Sequence, residues 1–269
     1  MNDRTMYLYH GCIEAAMTGN DGNVVATSRK TIAVIRTLCE LGDAGVTEIA
    51  AALDMNKSTV HNHLRTLERE ELVVRDGSRY RLGLRFLEFG GSVRNRTRLH
   101  KLAEPEVGRL ADQTGELASL MTEQYGRGVH LCCAKGNRAV DVSIHAGLHT
   151  PLHTTALGKS ILAHLPGDRV EAIVDRHGFA SETPKTITDR GELSADLDNV
   201  RERGFALDDE EFLAGLRCVG APVCTDEGEV LGSLSVSAPK NRLRDERFVD
   251  EFPDLLRSAT NVIELNINS

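Results

Sequence analysis

At 269 residues, with 41% apolar and 27% charged residues, the chain has the length of two domains and the composition of folded, water-soluble ones, which excludes global disorder. It has no run of about 18 apolar residues, so a membrane-spanning helix is excluded as well. Its net charge of −8 would alone argue against a polyanionic partner, but the distribution reverses that: residues 27–101 hold 14 Lys+Arg against 9 Asp+Glu, while residues 102–269 hold 17 against 28. A basic segment joined to an acidic remainder points to a nucleic-acid-binding module attached to something else. Residues 1–23 lack the cationic start and apolar run of a signal peptide, so a cytoplasmic protein is expected. In that compartment the six cysteines (Cys12, Cys39, Cys132, Cys133, Cys218 and Cys224) read as reduced thiols.

Residues 1–26 show no sustained periodicity and read as a poorly ordered leader, within which Met17 is an alternative start. From Ser28, placed as an N-cap, Ile32, Ile35, Leu38 and Leu41 predict a helix stopped by Gly42. Val46, Ile49, Ala50 and Leu53 predict a second, short helix ended by Asp54-Met55-Asn56. A third starts at Lys57 or Ser58 and runs through Val60, Leu64 and Leu67 to about Glu71. Strand, Asp-Gly turn and strand follow over 72–82.

Three helices and a hairpin in that order describe a winged helix-turn-helix over 27–83. With Val60, Leu64 and Leu67 turned inward, Ser58, Thr59, His61, Asn62 and Arg65 point out of the third helix. In a major groove Asn suits adenine, Arg suits guanine, and hydroxyls suit bases or phosphates. Arg79 and Arg81 of the wing are placed to reach flanking DNA. The expected partner is double-stranded operator DNA.

Residues 84–114 are helical by period, with breaks expected at Gly90-Gly91 and Pro105. They read as a linker helix, 84–100, and a helix opening the next domain, 101–269. Because one helix-turn-helix covers too few base pairs to be selective, the linker is a candidate dimer contact. Strands are predicted at 117–124, 128–134, 140–145, 205–208, 219–224 and 230–237. Helices are predicted at 156–164, 169–177, 192–203 and from about 245 to 261. The class is α+β around a largely antiparallel sheet.

Together these segments resemble the IclR family of transcriptional regulators over roughly residues 27–265. The resemblance is carried by the run from Val46 to Leu53, by Lys57 to Leu67, and more specifically by Pro151 to Lys159, Arg203 to Glu211, Gly215 to Pro222 and Gly232 to Pro239. It implies a GAF-like effector-binding domain with flanking helices, taking small organic or aromatic acids, and homodimers or dimers of dimers on operator DNA. With it the DNA-contacting set becomes Thr47, Lys57, Ser58, Thr59, His61, Asn62, Arg65, Arg79 and Arg81. The effector set implied is the backbone at Ala156 and Leu157 with the side chains of Asp208, Cys218, Ser235 and Ser237. The residues agree physically: a turn opening a helix at Ala156 presents free N–H groups to an anion, and Ser235 and Ser237 share a strand face.

Two other classes have signals in the sequence. The run Asp208-Asp209-Glu210-Glu211 suggests acid–base work or a cation, yet it reads better as an acidic strand end, and no hydrolase, nucleotide-binding or metalloprotease motif accompanies it. No enzyme, cofactor or metal site is expected. His145, His149 and His153 recur at four-residue steps near Cys132 and Cys133, as a metal or thiol sensor would need. Pro151 breaks any helix aligning them, however, and adjacent cysteines on a strand face opposite ways.

Overall fold

The computed structural model describes residues 24–244 and 247–268, so the expected leader lies outside them up to residue 23, as does Met17. Two compact units divide between Val93 and Arg94. Among the described residues no helix is long and apolar enough to cross a membrane.

The first unit runs α1 (Ala26–Leu41), β1 (Asp43–Gly45), α2 (Val46–Ala52), α3 (Lys57–Arg69), β2 (Val73–Asp76) and β3 (Arg79–Leu82). One core joins Val34 and Leu38 of α1, Ile49 of α2, Val60, Leu64 and Leu67 of α3, and Val73 and Tyr80 of the hairpin. The expected apolar face of α1 needs correcting. Ile32 and Leu41 are about half exposed, at 49% and 47%. At 3.6 residues per turn, three-residue steps drift by roughly 60° each, which puts residues nine apart on opposite sides. Ser28 is not the cap either: it lies inside α1, whose N-cap is Val25. β1 went unforeseen because three residues with one buried side chain, Ala44, carry no alternation; it completes a three-stranded sheet by pairing with β3.

Neither expected helix break forms. α4 (Arg85–Arg96) runs through Gly90-Gly91, and α5 (Arg98–Thr114) through Pro105. Glycine inside a helix costs only about 1 kcal/mol. The proline costs more, but α5 buries Leu99, Ala103, Val107 and Leu110 along one face, and that packing outweighs the lost hydrogen bond.

The second unit continues with β4 (Leu117–Gln124), β5 (Arg127–Lys135), β6 (His149–Pro151), α6 (Ala156–His164), α7 (Gly167–His177), α8 (Arg190–Arg203), β7 (Ala206–Asp209), β8 (Leu216–Cys224), β9 (Val230–Pro239) and α9 (Phe252–Asn268). Its six strands form one antiparallel sheet in the order β6-β5-β4-β9-β8-β7. This is the α+β, GAF-like architecture expected. Alternation sends Leu120, Val219, Leu234 and Val236 to a core with α5 and α9, and the opposite face lies under α6, with α7 and α8 completing the second core. The strand expected at 140–145 is irregular. The outer edge of β5 is taken instead by β6 and the turn before it, where His130 N–H donates to the Leu148 carbonyl and Gly147 N–H to that of His130. α9 begins at Phe252 and extends past the expected end at residue 261; the expected start, Asp245, lies outside the described residues.

Candidate functional site

Two surfaces of the chain concentrate chemistry that packing does not use. On α3, Val60, His63, Leu64 and Leu67 are buried, whereas Lys57, Ser58, His61, Asn62 and Arg65 are exposed and Thr59 is half-buried. His63 Nδ1 meets Thr31 Oγ1 at 2.9 Å, which ties α3 to α1 from the inner side. The N-cap Asn56 makes no side-chain bond to the helix, so the first-turn amides of α3 stay available to an acceptor. Thr47, at the start of α2, is exposed. Lys30 and Arg36 of α1, missed in the sequence because they sit on a different helix, line one groove with Asn56 and Thr59.

The wing arginines differ. Arg81 is exposed, but Arg79 is engaged within the unit, its Nε 3.2 Å from Asp43 Oδ1 and its Nη1 3.0 Å from Glu48 Oε2. Glu48 in turn accepts from Gly45 N–H at 2.7 Å, so Arg79 fastens the wing to the start of α2 rather than standing free.

The second site lies in the C-terminal unit, under the first turn of α6. A cavity of about 20 Å³ is lined by all six expected residues, Ala156, Leu157, Asp208, Cys218, Ser235 and Ser237. Ser119, His130, Ile144, Thr155, Phe212 and Leu216 complete its wall. Strand register explains the convergence: Asp208 pairs with Cys218, Cys218 with Ser237, and Ser235 with both Gly220 and Ser119. Directly paired residues share a face, so these side chains form a polar row beneath α6. At the helix end, Thr155 Oγ1 accepts from Gly158 N–H at 3.0 Å. The amides of Ala156 and Leu157 are those that helix geometry leaves without an intrahelical acceptor. The helix sits close because position 220 is glycine; a Cβ there would lie 2.6 Å from the Ala156 carbonyl oxygen.

Four buried polar atoms in this wall have no hydrogen-bond partner among the described residues: Ser119 Oγ, His130 Nδ1, Asp208 Oδ2 and Ser235 Oγ. Leaving such atoms unpaired is unfavourable, and native proteins do so rarely. Asp208 Oδ1 does accept, from the N–H groups of Glu211 at 2.7 Å and Phe212 at 3.3 Å. Burial and the neighbouring Glu211 charge nonetheless push its carboxyl up to about 7, against those amides and Lys159. Burial, with His145 and His149 nearby, pushes His130 down to about 4, so its ring is neutral. The Cys218 thiol, raised by burial and then by Asp208, stays protonated.

The acidic run after Asp208 disperses to separate partners. Asp209 pairs with Arg217, Glu210 with Lys185 and Lys240, and Glu211 with Lys159. Lys159, 1% exposed, places its ammonium 2.6 Å from Glu211 Oε1 and 2.9 Å from Asp196 Oδ2. The three spaced histidines also diverge: His145 and His149 bond to their own loop, and buried His153 to the Ala180 carbonyl. Among the described residues no group of His, Cys, Asp and Glu is arranged to hold a metal. Cys132 lies in the core with its thiol pushed up to about 12, while the Cys133 thiol donates to the Ile144 carbonyl.

Comparison with known proteins gives two family matches, the IclR helix-turn-helix domain over residues 29–77 and the bacterial transcriptional regulator IclR C-terminal domain over residues 92–265. A probable HTH-type transcriptional regulator, ArcR of Halobacterium salinarum, is 35% identical over 260 residues, covering 95% of this chain and 98% of its own. The HTH-type transcriptional regulator KdgR of Escherichia coli is 31% identical over 244 residues, covering 89% and 91%. The crystal structure of the Thermotoga maritima IclR superposes with a TM-score of 0.74 at 28% identity, covering 90% of this chain and 99% of that one.

Proposed function

The chain belongs to the IclR family of transcriptional regulators, and from that premise we propose that a small carboxylate-bearing effector in its C-terminal domain sets its affinity for operator DNA. Its relatives are regulators, not enzymes. In this reading α3 enters the major groove, with Ser58, Thr59, His61, Asn62 and Arg65 toward base edges and Thr47, Lys57 and Arg81 on the backbone. Lys30 and Arg36 join the phosphate contacts, whereas Arg79 acts by holding the wing. A homodimer, or a dimer of dimers, supplies the half-sites. Its support is α4, which buries no residue and leaves Leu87 and Val93 exposed at 71% and 70%, with Leu84 just before it exposed at 82%.

The observation that carries the effector reading is the set of unpaired buried polar atoms lining the cavity that the first turn of α6 closes. An anion there would accept from the Ala156 and Leu157 amides and from the Ser235 and Ser237 hydroxyls without any cationic side chain. A cavity of about 20 Å³ holds no more than a water-sized group, so an effector must widen it. Widening gives the ligand different affinities for two states, as a change in DNA binding requires. The test is calorimetry with carboxylic acids selected by a thermal-shift screen. Replacing Ser235 and Ser237 together by alanine is expected to weaken the selected acid about tenfold or more with operator affinity unchanged, and equal affinity in the double variant would show the pocket to be elsewhere.

Asp208 gives this binding a pH dependence. As a neutral acid it donates to the effector carboxylate, and once ionised it repels it. Affinity is therefore expected to be full below pH 7 and to fall above it, by at most about tenfold per pH unit for one proton. Titrations at pH 6 and pH 8.5 check the slope, which Asp208→Asn should abolish.

A further inference from the structure

We propose that the effector pocket has a second, uncharged recognition end over β4 and β5, formed by Ser119 and His130, which takes a hydroxyl or carbonyl group carried several bonds from the effector's carboxylate. The proposal rests on the carboxylate reading above and extends it to the ligand's other end. Ser119 and His130 are 2% and 3% exposed, line the same cavity as Ser235, and keep Oγ and Nδ1 without partners. Ser119 lies directly opposite Ser235, and His130 opposite Met121, so both point to the α6 side of the sheet. Thr150 Oγ1, on β6 opposite Gly128, is a further unpaired buried hydroxyl on that side.

Charge separates the two ends. The carboxylate end has helix amides, whereas among the described residues that line the cavity there is no lysine or arginine to meet a charge over β4 and β5. The Lys159 ammonium is held by Glu211 and Asp196, His145 and His149 are exposed, and the His130 ring is neutral. A neutral imidazole offers one donor and one acceptor, and a serine hydroxyl both, which suits an alcohol or ketone oxygen. Ile144, Phe212 and Leu216 line the cavity with apolar surface, which suits a carbon chain between the ends. The first turn of α6 stands over β8, where a Cβ on Gly220 would come within 3.0 Å of the Leu157 amide nitrogen. Ser119 is two strands away, roughly 9–10 Å at ordinary strand spacing. Subtracting a hydrogen bond of about 3 Å at either end leaves about 3–4 Å between the effector's two oxygens, the span of about two or three carbons.

The test uses the full-length protein and two matched probe series: straight-chain acids from acetate to pentanoate, and the same acids bearing a terminal hydroxyl. At one chain length the hydroxy acid is expected to bind about tenfold or more tightly than its plain counterpart. That ratio should fall to near one in Ser119→Ala and His130→Leu and be largely restored in His130→Gln, with Ser119→Ala deciding the matter if His130→Leu does not fold. A ratio near one in the unaltered protein, with the plain acids still binding, would remove the second end and leave the carboxylate anchor standing. A high ratio that survives both apolar variants would also overturn it, because the hydroxyl would then be met elsewhere. Tighter binding of the corresponding dicarboxylate would overturn its uncharged character. If no acid of either series bound, the carboxylate reading itself would fall, and the second end with it.

Discussion

Alanine at both Asn62 and Arg65 is expected to weaken binding to a cognate half-site by about 2–6 kcal/mol, since each bidentate contact to a base is worth about 1–3 kcal/mol of discrimination. Both side chains are exposed on α3, while Val60, Leu64 and Leu67 hold its opposite face in the core, so the pair can be removed without disturbing packing. The loss should fall on sequence discrimination, leaving affinity for unrelated DNA nearly as it was. Alanine at Lys30 or Arg36 should do the reverse, weakening all sequences alike and reducing the salt slope by about one. Anisotropy titrations on operator and scrambled duplexes, at two salt concentrations, separate the two outcomes. An unchanged operator affinity in the Asn62/Arg65 double variant would remove α3 from the groove.

The second large effect is expected at Lys159. Replacing it by methionine keeps most of the stem but leaves Glu211 and Asp196 without their ammonium in a largely buried site, and breaking a buried ion pair from one side costs about 3–5 kcal/mol. Urea unfolding monitored in the C-terminal unit measures this directly. The consequence should also reach the pocket: Glu211 N–H donates to Asp208 Oδ1, so loosening Glu211 loosens the carboxyl facing the cavity. A Lys159→Met protein as stable as the original would mean that the interaction contributes little and that Asp208 is held by other means.

What could be read in advance depended on whether the relevant contacts are local. The outward row on α3 was legible because helical period and inward apolar residues fix it within a dozen residues, and the two-residue step of Ser235 and Ser237 fixes a shared strand face. Ser119 and His130 were not legible. Ser119 sits in a nearly continuous buried strand, and only pairing between β4 and β9 sets it beside Ser235. The pairing of Arg79 with Asp43 and Glu48 was not legible either, because those partners reach it only through the unforeseen strand β1 and the start of α2. Likewise Gly90-Gly91 and Pro105 carried genuine local signals of interruption, which the surrounding helix overrode.

The most direct measurement is operator affinity with and without a saturating acid from the screen, in the unaltered protein and in the Ser235→Ala/Ser237→Ala variant. A coupling of about 1–3 kcal/mol predicts a change of roughly 5- to 150-fold, which in the variant requires about tenfold or more higher acid concentration. Identical operator affinity with the pocket full and empty would contradict the account.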